Sequence, residues 1–282
     1  KIKNVVYKLK EIYRKLSVPQ FTIVTGLIII IFGTLILSSP LCSSSDVGLW
    51  EAFFTSTSAI TVTGLTIIDV GVDLNIFGQI FLALMLLSGG LGLMAITTFL
   101  QGFVVKGTQL RTRLDKGKTL DEFGVGGIGR TFQSIAITAT SIISFGAIVL
   151  YFFGFLEIQN NWQRLWSAIF HSISAYNNAG FSLWSNSLQD YRSNFVVNIV
   201  FIFLIVMGGL GWRVIDDIWS NRKNLSYKKL SLHSRLVIRT SFSLIIFGSL
   251  GFFVIETLLN SQFFSDLNFF EKILSSIFET VS

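Results

Sequence analysis

Charge is scarce in this sequence: 13% of its 282 residues are Asp, Glu, Lys or Arg, about half the share found in soluble domains. With 51% hydrophobic residues and a mean hydropathy of +0.65, a water-soluble globule is excluded. Cysteine is all but missing. The lone Cys42 rules out an internal disulfide framework and reads as an unpaired thiol near a helix end. Histidine is nearly as rare, and neither His171 nor His233 has a second His or Cys at ligand spacing, so no metal site of the zinc type is expected. No Ser, His and Asp set shares one water-accessible loop, which argues against an enzyme.

What the chain does have is long stretches without charge, at 17–45, 74–105, 131–156, 193–212 and 240–255. At least four can cover a hydrocarbon core of about 30 Å, which takes roughly 20 helical residues. The fifth reaches that length by running on to Leu259 with Glu256 at the interface. The expected fold class is an all-α membrane protein. The apolar run from Phe21 to Ser39 is too long for a signal peptide and no small-residue cleavage site closes it. Lys1 is not a methionine and Ser282 falls inside an amphipathic run, so both ends are expected to be cut.

Of the 22 Lys and Arg, 19 fall in three segments, 1–20, 106–130 and 213–239. Because loops on the cytoplasmic side carry excess Lys and Arg, these three segments are inside and the N-terminus is cytoplasmic. The inner side sums to +13 and the outer side to −7. The basic clusters suit orientation and anionic lipid rather than nucleic acid. An acidic outer face concentrates cations at an entrance.

The sequence also repeats. Leu49–Thr66, "LWEAFFTSTSAITVTGLT", aligns without a gap on Leu165–Ser182, "LWSAIFHSISAYNNAGFS", 116 residues later. Each copy lies between two long apolar stretches, and the second stretch carries "GGLGL" at Gly89–Leu93 or "GGLGW" at Gly208–Trp212. A third copy begins with "EKILSSIFETVS", in register at an offset of 108, and stops six residues before its glycine. The reading is a cytoplasmic segment 1–20, a first repeat 21–105, a cytoplasmic connection 106–130, a second repeat 131–219, a connection 220–235 and a third repeat 236–282 truncated before its loop.

Residues 50–60 and 166–176 are too short to span a bilayer, which predicts re-entrant half helices on the outer side. Non-helical backbone at membrane depth persists only where protein buries it or where it lines a watery path. Thr61, Val62, Thr63 and Gly64, and Asn177, Asn178, Ala179 and Gly180, are therefore candidate pore lining. Carbonyls there can replace a cation's hydration shell, aided by the negative end of the half helix. The plainer alternative is an outer loop in which Gly64 and Gly180 cap a helix. Asp69 and Asp73 are either ordinary turn acids or an outer cation-attracting rim.

"TSTSAITVTGL" and "SISAYNNAGFS" resemble the first and second pore loops of the potassium transporter superfamily of TrkH, KtrB and plant HKT proteins. "MGGLGWRVIDDI" at Met207–Ile218 is similar to the helix that follows the second loop, and "VPQF" leans toward the KtrB branch. The resemblance covers nearly the whole chain. It implies four helix, pore loop, helix repeats around one ion path, two complete here and a third begun, so that the chain holds about half a pore. It implies a multi-pass protein of the bacterial inner membrane, commonly a homodimer, with potassium coordinated at the filter and sodium as a further activator or coupled ion. It also implies a cytoplasmic regulatory subunit of the KtrA/TrkA kind that carries the nucleotide, ATP/ADP or NAD. Glycine at both filter positions, Gly64 and Gly180, matches the potassium pattern. A self-standing cation channel and a non-conducting membrane interaction protein are the alternatives.

"GVGGIG" at Gly124–Gly129 fits a dinucleotide fingerprint in letters only, since no buried strand precedes it and a spanning helix follows. It reads as a flexible cytoplasmic connection. The glycines of the two "GGLG" motifs read as sites of close helix packing or of flexibility low in the path. The six tryptophans read as interface anchors.

Overall fold

The computed structural model describes residues 18–90, 125–221, 229–259, 264 and 267–282. Among these residues it is helical, with no strand beyond an isolated bridge between Ser43 and Leu74. The helices are α1 (Val18–Leu37), α2 (Leu49–Thr61), α3 (Ile76–Gly90), α4 (Val125–Val149), α5 (Asn161–Tyr176), α6 (Phe195–Leu210), α7 (Trp212–Ser220), α8 (Leu232–Leu258) and α9 (Phe269–Val281).

Local chemistry sets several starts. Asn160 accepts from the amides of Trp162 and Gln163 at 2.9 and 3.2 Å and opens α5, while Asn194 accepts from Val197 at 3.1 Å and opens α6. Asn268 and Glu271 form a capping box on α9. Gln133–Gly154 and Leu232–Leu258 are each long and apolar enough to cross a membrane, and α6 with α7 makes a third span if the bent pair is one. The outward faces are apolar, as lipid requires: Leu244 and Phe247 of α8 are 70% and 74% exposed.

The helices group into the units that the repeat foretells. In the first, α2 packs on α1 and α3; in the second, α5 packs on α4 and α6; in the third, α9 packs on α8. Neighbouring units are joined in the same way twice, α3 against α5 and α6 against α9. Small residues allow the close contacts. Gly33 of α1 lies against Ser56, and Gly248 of α8 lies against Thr280, the position equivalent to Ser56 in the third copy. Trp166 Nε1 donates to Gln79 Oε1 at 2.7 Å and ties the second unit to the first.

Three features differ from the sequence reading. The glycine-rich stretch expected to be flexible is helical from Val125, the start of α4, despite the weak helix propensity of its glycines. Gly211, at φ 79° and ψ 150°, breaks the helix expected over Met207–Ile218, and α7 leaves α6 at 94°. Trp50, Trp162 and Trp219 are exposed as anchors should be, but Trp184 turns inward and stacks on His171. A π turn at Leu150–Gly154 ends α4 and drops Phe155, fully buried, beside Trp184 and Tyr191 with ring centroids 5.1 Å from each.

Candidate functional site

The two sequence-identified loops follow the ends of α2 and α5 and share one backbone path. Val62 and Asn178 are both left-handed, at φ 55° and 54°. The amides of Thr63 and Ala179 then donate back to the carbonyls of Ser58 and Ser174 at 2.9 and 2.8 Å. Val62 and Asn178 bond to Ala59 and Ala175 at 3.3 and 3.0 Å. This pair of bonds is a Schellman motif, which closes a helix with a left-handed residue just past its last turn. Here those residues are Val62 and Asn178. Gly64 and Gly180, two residues later, turn left-handed a second time at φ 85° and 71°. A β-branched residue in the left-handed region is a strained choice, so Val62 shows that surrounding contacts hold this turn.

The glycines are where the loops meet. A Cβ on Gly64 would collide with the Ala179 carbonyl oxygen and lie 3.3 Å from Gly180 Cα, while one on Gly180 would lie 3.5 Å from Gly64 Cα. The two loops touch backbone to backbone. Behind them the "GG" pairs receive the half helices: a Cβ on Gly89 would come within 2.5 Å of the Ile60 carbonyl, and one on Gly208 would collide with the carbonyl of Tyr176, the residue equivalent to Ile60. Gly90 faces the Asn177 side chain, so α3 also supports the second loop.

Polar side chains in the loops are tied to local backbone. Thr61 Oγ1 donates to the Thr57 carbonyl at 2.8 Å and lies 2.7 Å from Thr63 Oγ1. Asn177 Nδ2 donates to Ile173 at 2.8 Å. The Asn178 amide nitrogen, turned inward, donates to the carbonyls of Ala175 and Ile205 at 3.2 and 3.1 Å. By contrast, among the described residues no protein donor bonds to the carbonyls of Val62–Gly64 or Asn178–Gly180. The C-terminal ends of two helices converge on a surface of free carbonyl oxygens, which suits a cation.

Asp69 and Asp73 shape the loop that follows Gly64. Asp69 Oδ1 accepts from Gly71 and Val72 at 3.0 and 3.3 Å, and Asp73 accepts from the Asp69 amide and the Ser45 hydroxyl, both at 2.8 Å. Sequence reasoning missed what stands behind the second loop. His171, Ser174 and Ser182 bond to one another's segments there, and the signal for it was a lone histidine in a serine-rich half helix.

Comparison with known proteins agrees with this architecture. The TrkH model, described as cation transport protein, matches residues 33–282. Ktr system potassium uptake protein B of Bacillus subtilis (strain 168) is 31% identical over 265 residues, covering 94% of this chain and 58% of that protein. Potassium/sodium uptake protein NtpJ of Enterococcus hirae is 30% identical over 276 residues, 97% of this chain and 60% of that protein. The chain therefore spans about three fifths of the length of these relatives. The crystal structure of the potassium transporter TrkH from Vibrio parahaemolyticus superposes with a TM-score of 0.61 at 19% identity, over 95% of this chain and 50% of that one, and shares the fold. With a family model matched over most of its length, on a fold of repeated helix, pore loop and helix units, the chain is a membrane protein that belongs to the TrkH family of cation transport proteins.

Proposed function

We propose that the protein takes up potassium across the cell membrane as the pore-forming subunit of a Trk/Ktr-type transporter. Ions are held by backbone carbonyls of Thr61–Gly64 and Asn177–Gly180, together with two further loops of the full-length protein. The observation that carries this reading is that the two loops differ in side chains yet repeat one backbone path, with glycine against glycine and with carbonyls that no donor among the described residues engages. A filter that replaces water around a dehydrated ion needs that backbone and no particular side chain. The relatives named for uptake of potassium, or of potassium and sodium, support the ion class.

In this reading the outer acids, Asp69 and Asp73 among them, raise the cation concentration at the entrance. The inner basic segments receive a cytoplasmic subunit of the KtrA/TrkA kind, which carries the nucleotide and gates conduction. The chain works as a homodimer in the bacterial inner membrane with its N-terminus inside, and sodium acts as activator or coupled ion. The test is uptake of potassium and sodium by cells lacking their own uptake systems and expressing the full-length protein. Gly64→Ser, placed against the Ala179 carbonyl, should lower the preference for potassium. An unchanged preference would refute the filter assignment. Reconstitution with and without the regulatory subunit separates gated uptake from a self-standing channel.

A further inference from the structure

His171 occupies the position held by Thr55 in the first unit and by Glu279 in the third. Its ring is buried, with 1% of its surface exposed. Nδ1 lies 2.8 Å from the Ser167 carbonyl, an acceptor, so Nδ1 carries the hydrogen. Nε2 receives the Leu183 amide at 3.3 Å and lies 3.2 Å from the Ser182 hydroxyl. An amide can only donate, so Nε2 keeps its lone pair and the ring is the neutral tautomer protonated on Nδ1. The ring also stacks on Trp184, centroids 4.0 Å apart and planes 16° apart, with Phe155 edge-on at 5.8 Å.

His171 thus grips the three residues Ser182, Leu183 and Trp184 that follow the second loop. Three positions along α5, Ser174 Oγ donates to the Phe181 carbonyl at 2.7 Å. Asn177–Gly180 is held at one end by the cap on α5 and at the other by these two side chains. Among the described residues the first unit has no such tie: Thr55 Oγ1 and Ser58 Oγ, the equivalents of His171 and Ser174, are buried without a partner there, and Thr66 bonds within its own turn, to Ile68.

We infer that His171 is a positioning residue for the second loop. Its neutral ring pins the outgoing limb, Ser182–Trp184, to the half helix and so sets the spacing of the Asn177–Gly180 carbonyls. The inference rests on the proposed function, since it assigns His171 a part in the discrimination between potassium and sodium. It also makes the second quarter of the filter stiffer than the first.

The experiment compares potassium and sodium uptake by the full-length protein in uptake-deficient cells, with membrane protein levels measured by immunoblot. His171→Phe keeps an aromatic ring against Trp184, slightly larger than the imidazole, but removes its polar ties to Ser167, Ser182 and Leu183. It should lower the potassium over sodium ratio about three- to tenfold and raise the half-saturation concentration for potassium more than it lowers the maximal rate. His171→Gln, which can donate and accept, should recover part of the ratio. Thr55→Val, which removes a partnerless hydroxyl at the same position of the first unit, should leave the ratio unchanged. A normal ratio in well-expressed His171→Phe, or equal losses in Phe and Gln variants, overturns the inference. If His171→Phe does not accumulate, Ser174→Ala and Ser182→Ala carry the test, and unchanged ratios in both overturn it. A parent protein with no potassium preference refutes the functional reading, and this inference with it.

Discussion

Gly208 and Gly209 are neighbours on α6, yet a methyl group added at each should have opposite effects. At Gly208 a Cβ would collide with the carbonyl of Tyr176, the last residue of α5, while at Gly209 the nearest atom, on the Asn178 amide, is 3.5 Å away, an ordinary contact. Replacing glycine by alanine in a helix interior is worth roughly 1 kcal/mol in favour of alanine. Overpacking a tight contact costs about 1–3 kcal/mol, and here the obstacle is backbone, which yields less than a flexible side chain. Gly209→Ala should therefore be neutral or stabilising. Gly208→Ala should be destabilising or at best neutral. The helix-propensity contribution is common to both variants, so their difference isolates the collision at about 1–3 kcal/mol. In thermal unfolding of the detergent-purified protein this is a gap in Tm of several degrees, at roughly 2–4 °C per kcal/mol for a chain of this size. Equal shifts, or a greater loss from Gly209→Ala, would refute the idea that α6 seats the half helix through Gly208.

Other contacts give smaller, separate expectations. Trp166→Phe keeps the ring but loses the hydrogen bond to Gln79 that joins the first two units; a loss of about 0.5–1.5 kcal/mol should appear as a lower melting temperature, and none if water replaces the contact without cost. Asn160→Ala removes the cap of α5 and should cost about 1 kcal/mol in the same assay, with Asn160→Asp close to the parent protein. Gly211→Ala forces a side chain into φ 79° and ψ 150°, at a cost of about 1–3 kcal/mol. Spin labels on α7 and α8 should show α7 shifted or the protein should melt early. An unchanged distance and unchanged stability would mean that the bend does not depend on glycine.

The repeat was legible because membrane helices and the short segments between them leave coarse marks: long uncharged windows, clustered basic segments and a gapless match between Leu49–Thr66 and Leu165–Ser182. The loops were found from where the half helices stop. Their caps were misjudged as an alternative, because glycine is the expected left-handed residue and valine is among the least expected; only the contact of Val62 with its surroundings keeps it there. The bend at Gly211 was hidden for a different reason. A glycine in an apolar run marks close packing as readily as a break, and the first glycines of the same motif, Gly89 and Gly208, do pack closely. The tie at His171 needed three dimensions, since its partners lie 11 and 12 residues further on and across a loop whose path no periodicity reports.

Where the two loops meet, the contact is backbone against backbone. Gly64 lies against Ala179 and Gly180 with no side chain between them, so any residue larger than glycine at 64 moves one loop relative to the other. Side chains at the remaining loop positions are free to differ, and they do: Thr61, Val62 and Thr63 face Asn177, Asn178 and Ala179 in the alignment. The same division recurs one layer out, where Gly89 and Gly208 take the carbonyls of Ile60 and Tyr176. The joints α3 on α5 and α6 on α9 also repeat, so each unit presents its closing helix to the half helix of the next. Joints of this kind need agreement in the glycines and the backbone turns, and the two loops keep one conformation while their side chains differ.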